Sequence, residues 1–260
     1  KHLKKILNKY QKLKVISAIG MFYDLENPQD FVDAIKDNLH KNGVWHLEQS
    51  YLPLMIENNA YDTVCHEHLE YYTFESILFM LEKSGLKVVE VEKNYINGGS
   101  FALSVAHKEC NLYNENKDEI AIFLNEEKRL DLSSLDVFFQ FKKRVADHKK
   151  ELRSLILNLI SNGKKVFGYG ASTKGNVLLQ YCEFTDKEIN YIAEVNEDKF
   201  GCYTPGTDIP IISQKQANKM FPDYYLVLPW HFKDSILKNE KNFLESGGQF
   251  IFPMPNIEII

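Results

Sequence analysis

Residues 164–176, KKVFGYGASTKGN, read as a short buried strand, a turn made on glycine and the start of a helix. Lys165 to Gly168 is the strand, and Gly170 to Tyr181 is the turn and helix. Glycines at such a place let the chain turn tightly and let a ligand approach the backbone. Working outward, residues 189–195, 224–229 and 249–252 read as further strands, with a helix at about 232–245. Strands alternating with helices predict a parallel α/β sheet.

The same alternation appears earlier in the chain. Residues 13–20, LKVISAIG, are a β-branched run expected as a buried strand. Asn27-Pro28 starts a helix on which Phe31, Ile35 and Leu39 share a face. Asn42-Gly43 is expected to stop that helix before a strand beginning at Val44–Leu47. A helix over 73–84 follows, with Phe74, Ile77, Leu78 and Leu81 on one face and Gly85 as its stop. Residues 86–91 and 101–106 alternate as an antiparallel pair at a sheet edge, with Asn97-Gly98-Gly99 turning between them. Residues 111–163 are charged and helical, with an apolar stripe through Leu135, Phe138, Val145, Leu152, Leu155, Ile156 and Leu159; residues 108–130 are the linker expected from composition. The expected organisation is an α/β domain over 1–108, a helical connector over 109–163 and a second, smaller α/β domain over 164–260.

Composition bounds the function. The 260 residues include 31 Lys and Arg and 36 Asp and Glu, a formal net charge of −5, with 44% hydrophobic and 26% charged residues. That is globular composition, and a mildly acidic chain has no general attraction to nucleic acid or anionic lipid. No apolar run reaches the roughly 20 residues needed to span a bilayer. The basic opening, KHLKKILNKYQKLKVI, lacks the apolar stretch and cleavage site of a signal peptide. Cys65, Cys110, Cys182 and Cys202 have no metal-type spacing and suit reduced thiols in a cytoplasmic protein.

The densest chemistry is Tyr61-Asp62-Thr63-Val64-Cys65-His66-Glu67-His68-Leu69-Glu70-Tyr71-Tyr72. Histidine titrates near neutral pH and suits proton removal from a weakly acidic carbon, with a carboxylate beside it to steady the imidazolium. In an extended segment His66 and His68 project to one side and Glu67 to the other. A polar loop of satisfied histidines and a zinc site are the competing readings, although no third ligand stands out. The loop Tyr169-Gly170-Ala171-Ser172-Thr173-Lys174 suits an anion at a helix start. Lys174 precedes Gly175, so this is not a P-loop; Glu194, at the end of the next strand, sits near where a ribose-binding acid would lie. A tight packing turn is the competing reading. Asn97-Gly98-Gly99 suits a hairpin turn or close approach to a ligand. Trp230-His231 follows a strand end, where open α/β sheets collect ligands, and reads equally as a ligand wall or as packing.

ENNAYDTVCHEHLEYY, NGGSF, GYGASTKGN, YTPGT and LPWHF occur in one order along nearly the whole chain. That order resembles the nucleotide-sugar C-methyltransferases, which use S-adenosylmethionine (SAM) to methylate a ring carbon of NDP-4-keto-deoxysugars. The resemblance implies a partial class I methyltransferase domain over 1–108 and a Rossmann-like substrate-binding domain over 164–260. It also implies that the family's N-terminal zinc-binding part and Gly-rich SAM loop have no counterpart here, so zinc is not expected in this chain. The family's catalytic Glu-His pair carries over to Glu67 and His68. Some members have a tyrosine where this chain has Cys65, which leaves His66 or Tyr61 to compensate. Some have a histidine just after the fourth strand, where this chain reads Gly20-Met21-Phe22-Tyr23; Gly20, Met21 and Phe22 are the remaining cofactor candidates. By resemblance, residues 169–174 hold the sugar nucleotide's diphosphate, Asn97-Gly98-Gly99 lie beside the sugar and His231 lines the site.

The resulting expectation is SAM-dependent C-methylation of a nucleotide-linked keto-deoxysugar through an enolate. The rivals are a nucleotide-sugar binding fragment without catalysis and an NAD-dependent sugar-modifying enzyme, the latter disfavoured by the lack of a Tyr-x-x-x-Lys pair. The expected partners are the nucleotide sugar and a second chain covering the apolar edge at LKVISAIG. Nucleic acid and membrane are not expected.

Overall fold

The computed structural model describes residues 12–260. The basic opening, residues 1–11, in which no signal peptide was read, lies outside the described residues. Two compact units divide the chain: one holds the residues up to Met55 and His66–Val137, the other Ile56–Cys65 and Phe138–Ile260.

In the first unit β1 (Leu13–Ile19) leads through α1 (Pro28–Asn38) to β2 (Leu39–Ser50). A short helix, α2 (Leu52–Glu57), spans the division after Met55. Then come α3 (Phe74–Lys83), β3 (Leu86–Asn94), β4 (Ser100–His107) and α4 (Lys117–Leu130). The sheet order is β1-β2-β4-β3, with β1 and β2 parallel and both contacts of β4 antiparallel. The edge pair is thus antiparallel, as its alternation indicated. In β2, Trp45, Leu47 and Gln49 are buried while His46, Glu48 and Ser50 between them are half-buried. The buried face meets Phe22, Phe74, Phe101, Leu103, Val105 and Phe123. On edge strand β1, expected as a buried strand, only Ala18 is buried; Val15 and Ile19 are 71% and 59% exposed, because an edge strand pairs on one side only.

Thr73 and Ser76 cap α3 reciprocally: Ser76 N–H donates to Thr73 Oγ1 at 3.0 Å, and Thr73 N–H to Ser76 Oγ at 3.1 Å. Glu127 of α4 adds its carboxylate to the same N-terminus, accepting from Phe74 and Glu75. This carboxylate and the buried Phe123 pack α4 on the first unit, although residues 108–130 were expected as a linker. One further expectation changes. Asn42-Gly43 does not stop a helix: α1 ends at Asn38, and Leu39, Asn42 and Gly43 all lie in β2. Gly43 is needed there because a Cβ would stand 2.9 Å from the Leu13 carbonyl on the neighbouring strand.

The second unit carries a six-stranded sheet, order β10-β9-β8-β5-β6-β7. Its strands are β5 (Val166–Tyr169), β6 (Ile192–Glu194), β7 (Ile211–Ser213), β8 (Tyr224–Val227), β9 (Gln249–Phe252) and β10 (Glu258–Ile259). All pairings are parallel except β9 with β10. The helices are α5 (Leu135–Ser161), α6 (Thr173–Tyr181), α7 (Gln214–Lys219), α8 (Lys233–Asn239) and α9 (Lys241–Glu245). Of these, α5 crosses the division at Val137. The single helix read at 232–245 is broken at Glu240 into α8 and α9. The central β5 has β6 on one side and β8 on the other. The chain therefore winds both ways from β5, which makes the carboxyl ends of β5 and β8 the topological switch point of the sheet. The structure is mixed α/β with parallel strand pairs in both units, the class read from the sequence.

Candidate active site

In the first unit the site residues gather at the carboxyl edge of the parallel β1–β2 pair. Gly20 N–H donates to the Glu48 carbonyl at 2.8 Å, and φ of +62° explains the glycine there. Met21 follows half-buried, and Phe22 is fully buried among core rings, including Trp45 and Tyr72. Tyr23 and Asp24 complete a 3₁₀ turn. The Tyr23 carbonyl accepts from Leu69 N–H at 2.9 Å and Glu70 N–H at 3.2 Å, clipping the 66–70 segment to this turn. The Tyr23 ring lies 4.1 Å from the His68 ring, tilted by 47°. His66 and Glu67 are exposed and His68 is half-buried. Burial raises the pKa of the Asp24 carboxyl; the charge of His68 opposes the rise and that of Glu67 adds to it.

The Asn97-Gly98-Gly99 turn belongs to the same edge. Its φ angles are 55°, 87° and 135°, and the Gly99 carbonyl accepts from Tyr51 N–H just beyond β2. Glu48, near the end of β2, accepts from Asn94 Nδ2 at 3.2 Å.

The second unit takes the other half of the dense motif. Tyr61 hydroxyl lies 3.0 Å from His148 Nδ1, and His148 Nε2 lies 2.6 Å from the Pro253 carbonyl. A carbonyl only accepts, so Nε2 carries the proton and the Tyr61 hydroxyl donates to Nδ1. Burial lowers the pKa of His148 and raises that of the Tyr61 hydroxyl, so both stay neutral. Asp62 is 1% exposed; its Oδ2 accepts from Trp230 Nε1 at 2.8 Å, while Oδ1 is buried with no hydrogen-bond partner. Burial pushes the Asp62 pKa up and that of Lys174 down, each opposed by the charge of the other. His231 is held down to about 4 by burial and by Lys174, and its Nδ1 has no hydrogen-bond partner. The structure thus brings Asp62, Lys174, Trp230 and His231 together within this unit.

The 169–174 loop is bonded largely within its own unit. Tyr169 hydroxyl donates to Glu240 at 3.0 Å, and Ala171 N–H donates to Glu194 Oε2 at 2.7 Å. Glu194 Oε1 accepts from Val195 and Asn196, so this acid fastens the loop to β6 instead of standing free for a ribose. Ser172 Oγ accepts from Gly175 N–H at 3.0 Å and caps α6, while Thr173 is exposed. The glycines meet the protein itself. A Cβ on Gly170 would stand 2.8 Å from Pro229, and one on Gly175 would stand 2.7 Å from Leu228. Among the described residues no group of three or more His, Cys, Asp and Glu side chains is placed to hold a metal ion, and no helix is long and apolar enough to cross a membrane.

Sequence reasoning passed over Asp24, quoted Asp62 without giving it a role, and read Trp230 as a ligand wall or a packing residue without its bond to Asp62. Asp24 directly follows a stretch already singled out at a strand end. Asp62 carries no signal of its own, because its partners are far away in sequence.

Comparison with known proteins places these residues in a family. C-methyltransferase NovU of Streptomyces niveus is 32% identical over 255 residues, an alignment covering 98% of this chain and 60% of NovU. The chain therefore spans less than two thirds of that relative. Among solved structures, a Bacillus halodurans C-125 protein described as a methyltransferase matches with TM-score 0.31 and 14% identity over 38% of this chain and 65% of that one. LepI in complex with SAM matches with TM-score 0.32 and 12% identity over 37% and 27%. Residues 95–255, more than half of the sequence, match the model described as the C-methyltransferase C-terminal domain, and the chain belongs to that family.

Proposed function

We propose that the chain serves SAM-dependent methylation of a ring carbon beside the keto group of a nucleotide-linked deoxysugar. The observation that carries this reading is the Glu67–His68 pair, held open at the carboxyl edge of β1 and β2 in a C-methyltransferase family member. A keto group acidifies its neighbouring carbon. His68, as neutral imidazole, takes the proton from that carbon, and Glu67 steadies the imidazolium or the sugar beside it. The electron pair left behind forms the enolate. Asn97-Gly98-Gly99 border the same edge and accommodate the ring through their open backbone.

SAM, when bound, supplies the electrophilic methyl group that the enolate carbon takes. The residues at this edge fit it in part. Gly20 and Met21 offer an open turn at a strand end, and Glu48 offers a carboxylate suited to a sulfonium charge, whereas Phe22 is committed to the core. In the second unit, recognition of the nucleotide sugar falls to groups with capacity left, His231 through Nδ1 and the exposed Thr173, with Lys174 beside His231.

The test is His68→Ala in a preparation active in methyl transfer. Turnover is expected to fall about 10²–10⁴-fold, while nucleotide-sugar affinity measured by calorimetry stays within about twofold. Full turnover in the variant removes His68 from the mechanism. Nucleotide-sugar binding with no methyl transfer by any preparation favours the binding-fragment reading.

A further inference from the structure

The turn that follows β1 is built around His68. The Tyr23 carbonyl takes both Leu69 N–H and Glu70 N–H, so the backbone after His68 is fixed to it. The Tyr23 side chain is itself buried and presents its ring 4.1 Å from the imidazole. Asp24, the next residue of the same 3₁₀ turn to which the segment after His68 is clipped, is exposed, and the charges of His68 and Glu67 act on its carboxyl. The charged and titratable side chains beside this pair along the chain are Asp24, His66, Glu67 and Glu70, with the charges of His68 and Glu67 acting on Asp24.

We propose that Tyr23 and Asp24 are the positioning residues of His68, the ring as the surface on which the imidazole rests and the carboxylate as the countercharge that favours its protonation. This rests on the reading of His68 as the proton acceptor. As His68 takes a proton from the sugar carbon, a cation forms over an aromatic face, an arrangement the ring quadrupole favours. A carboxylate nearby stabilises the same charge, strengthening the base without touching the substrate. The clip at the Tyr23 carbonyl keeps the imidazole from swinging away between turnovers. Packing alone would need the ring but not the acid.

The test follows the His68 ring proton of this chain by NMR across pH, assigned by its loss in His68→Ala. In Asp24→Asn the titration midpoint is expected to fall by about half a unit, an exposed carboxylate acting through partial solvent screening. In Tyr23→Leu it falls and the signal broadens as the ring loses its support. Because Asp24 is exposed, its variant is expected to melt with the parent, which keeps the test open if Tyr23→Leu fails to fold. In an active preparation, Asp24→Asn lowers kcat about tenfold with KM nearly unchanged, moves the acid limb of the kcat profile to lower pH, and is largely rescued by Asp24→Glu. An unchanged His68 midpoint in Asp24→Asn overturns the proposal, as does a shifted midpoint with unchanged kcat. Full turnover in His68→Ala would sink the proton-acceptor reading, and the titration would still decide whether Tyr23 and Asp24 set the state of the ring.

Discussion

Tyr61–Thr63 and His66–Glu70 are near neighbours in sequence and equally rich in polar groups, yet the fold uses them in opposite ways. Tyr61, Asp62 and Thr63 are 4%, 1% and 2% exposed; Tyr61 bonds to His148, Asp62 accepts from Trp230, and Thr63 Oγ1 donates to the Ala60 carbonyl, all within the second unit. His66, Glu67 and Glu70 are exposed in the first unit, on a segment clipped at the backbone after His68. A buried donor or acceptor must keep its partner, because losing it costs the full desolvation penalty. An exposed one can exchange water for substrate. The first half of the motif is therefore framework, while the second half leaves His66, Glu67 and Glu70 at the surface.

Substitutions can break this contrast. The largest effect is expected from Asp62→Ala, which leaves the Lys174 ammonium buried without its countercharge and Trp230 Nε1 without an acceptor. A loss of about 3–5 kcal/mol is expected in urea unfolding of the second unit, as for breaking a buried charge pair. A loss under about 1 kcal/mol would mean that the pair is neutral or relaxes into water.

Acid should act on the same unit. His148 and His231 both have lowered pKa values in the fold. Below about pH 6.5 the unfolded chain binds protons that the folded chain refuses, so stability present above that pH is lost as pH falls toward the folded value. For His231, held near 4, the loss between pH 7 and pH 5 is about 1–2 kcal/mol after allowance for partial exposure. Urea midpoints at the two pH values check it, and replacing His231 with Gln should flatten the slope.

Tyr61→Phe removes the hydroxyl and strands His148 Nδ1, at a cost of about 1–2 kcal/mol. Thermal melting measures it, and methyl transfer at a temperature where the variant is folded should be nearly unchanged if Tyr61 is framework. His66→Ala sharpens the comparison from the other side. An exposed residue away from caps and core should shift stability by less than about 0.5 kcal/mol, so any loss of turnover there is chemical.

Much of the architecture was legible because it depends on local patterns. The β-branched run at 13–19, the alternation in β3 and β4 and the helical face of Phe74, Ile77 and Leu81 each follow from spacing alone. Leu39–Gly43 was misread because Asn-Gly resembles a helix stop, while pairing with β1 draws the segment into β2. Gly170 and Gly175 were read as places for a ligand to approach the backbone, with a tight packing turn as the rival reading. The approaching atoms are Pro229 and Leu228 of the same unit, which no local pattern could name. Glu194 was noticed for its place after a strand, but its bonds to Ala171, Val195 and Asn196 depend on how the loop folds over β6.

The sequence by itself determined the α/β class and the ordered motifs that mark the family, since periodicity and residue chemistry are carried by neighbouring positions. Only the tertiary structure decided that the motif divides after Cys65, that Asp62 meets Trp230 and that Tyr23 lies against His68. Burial and pairing of polar groups depend on which distant segments close over them, and solvent exposure is a property of the folded surface that no single residue carries.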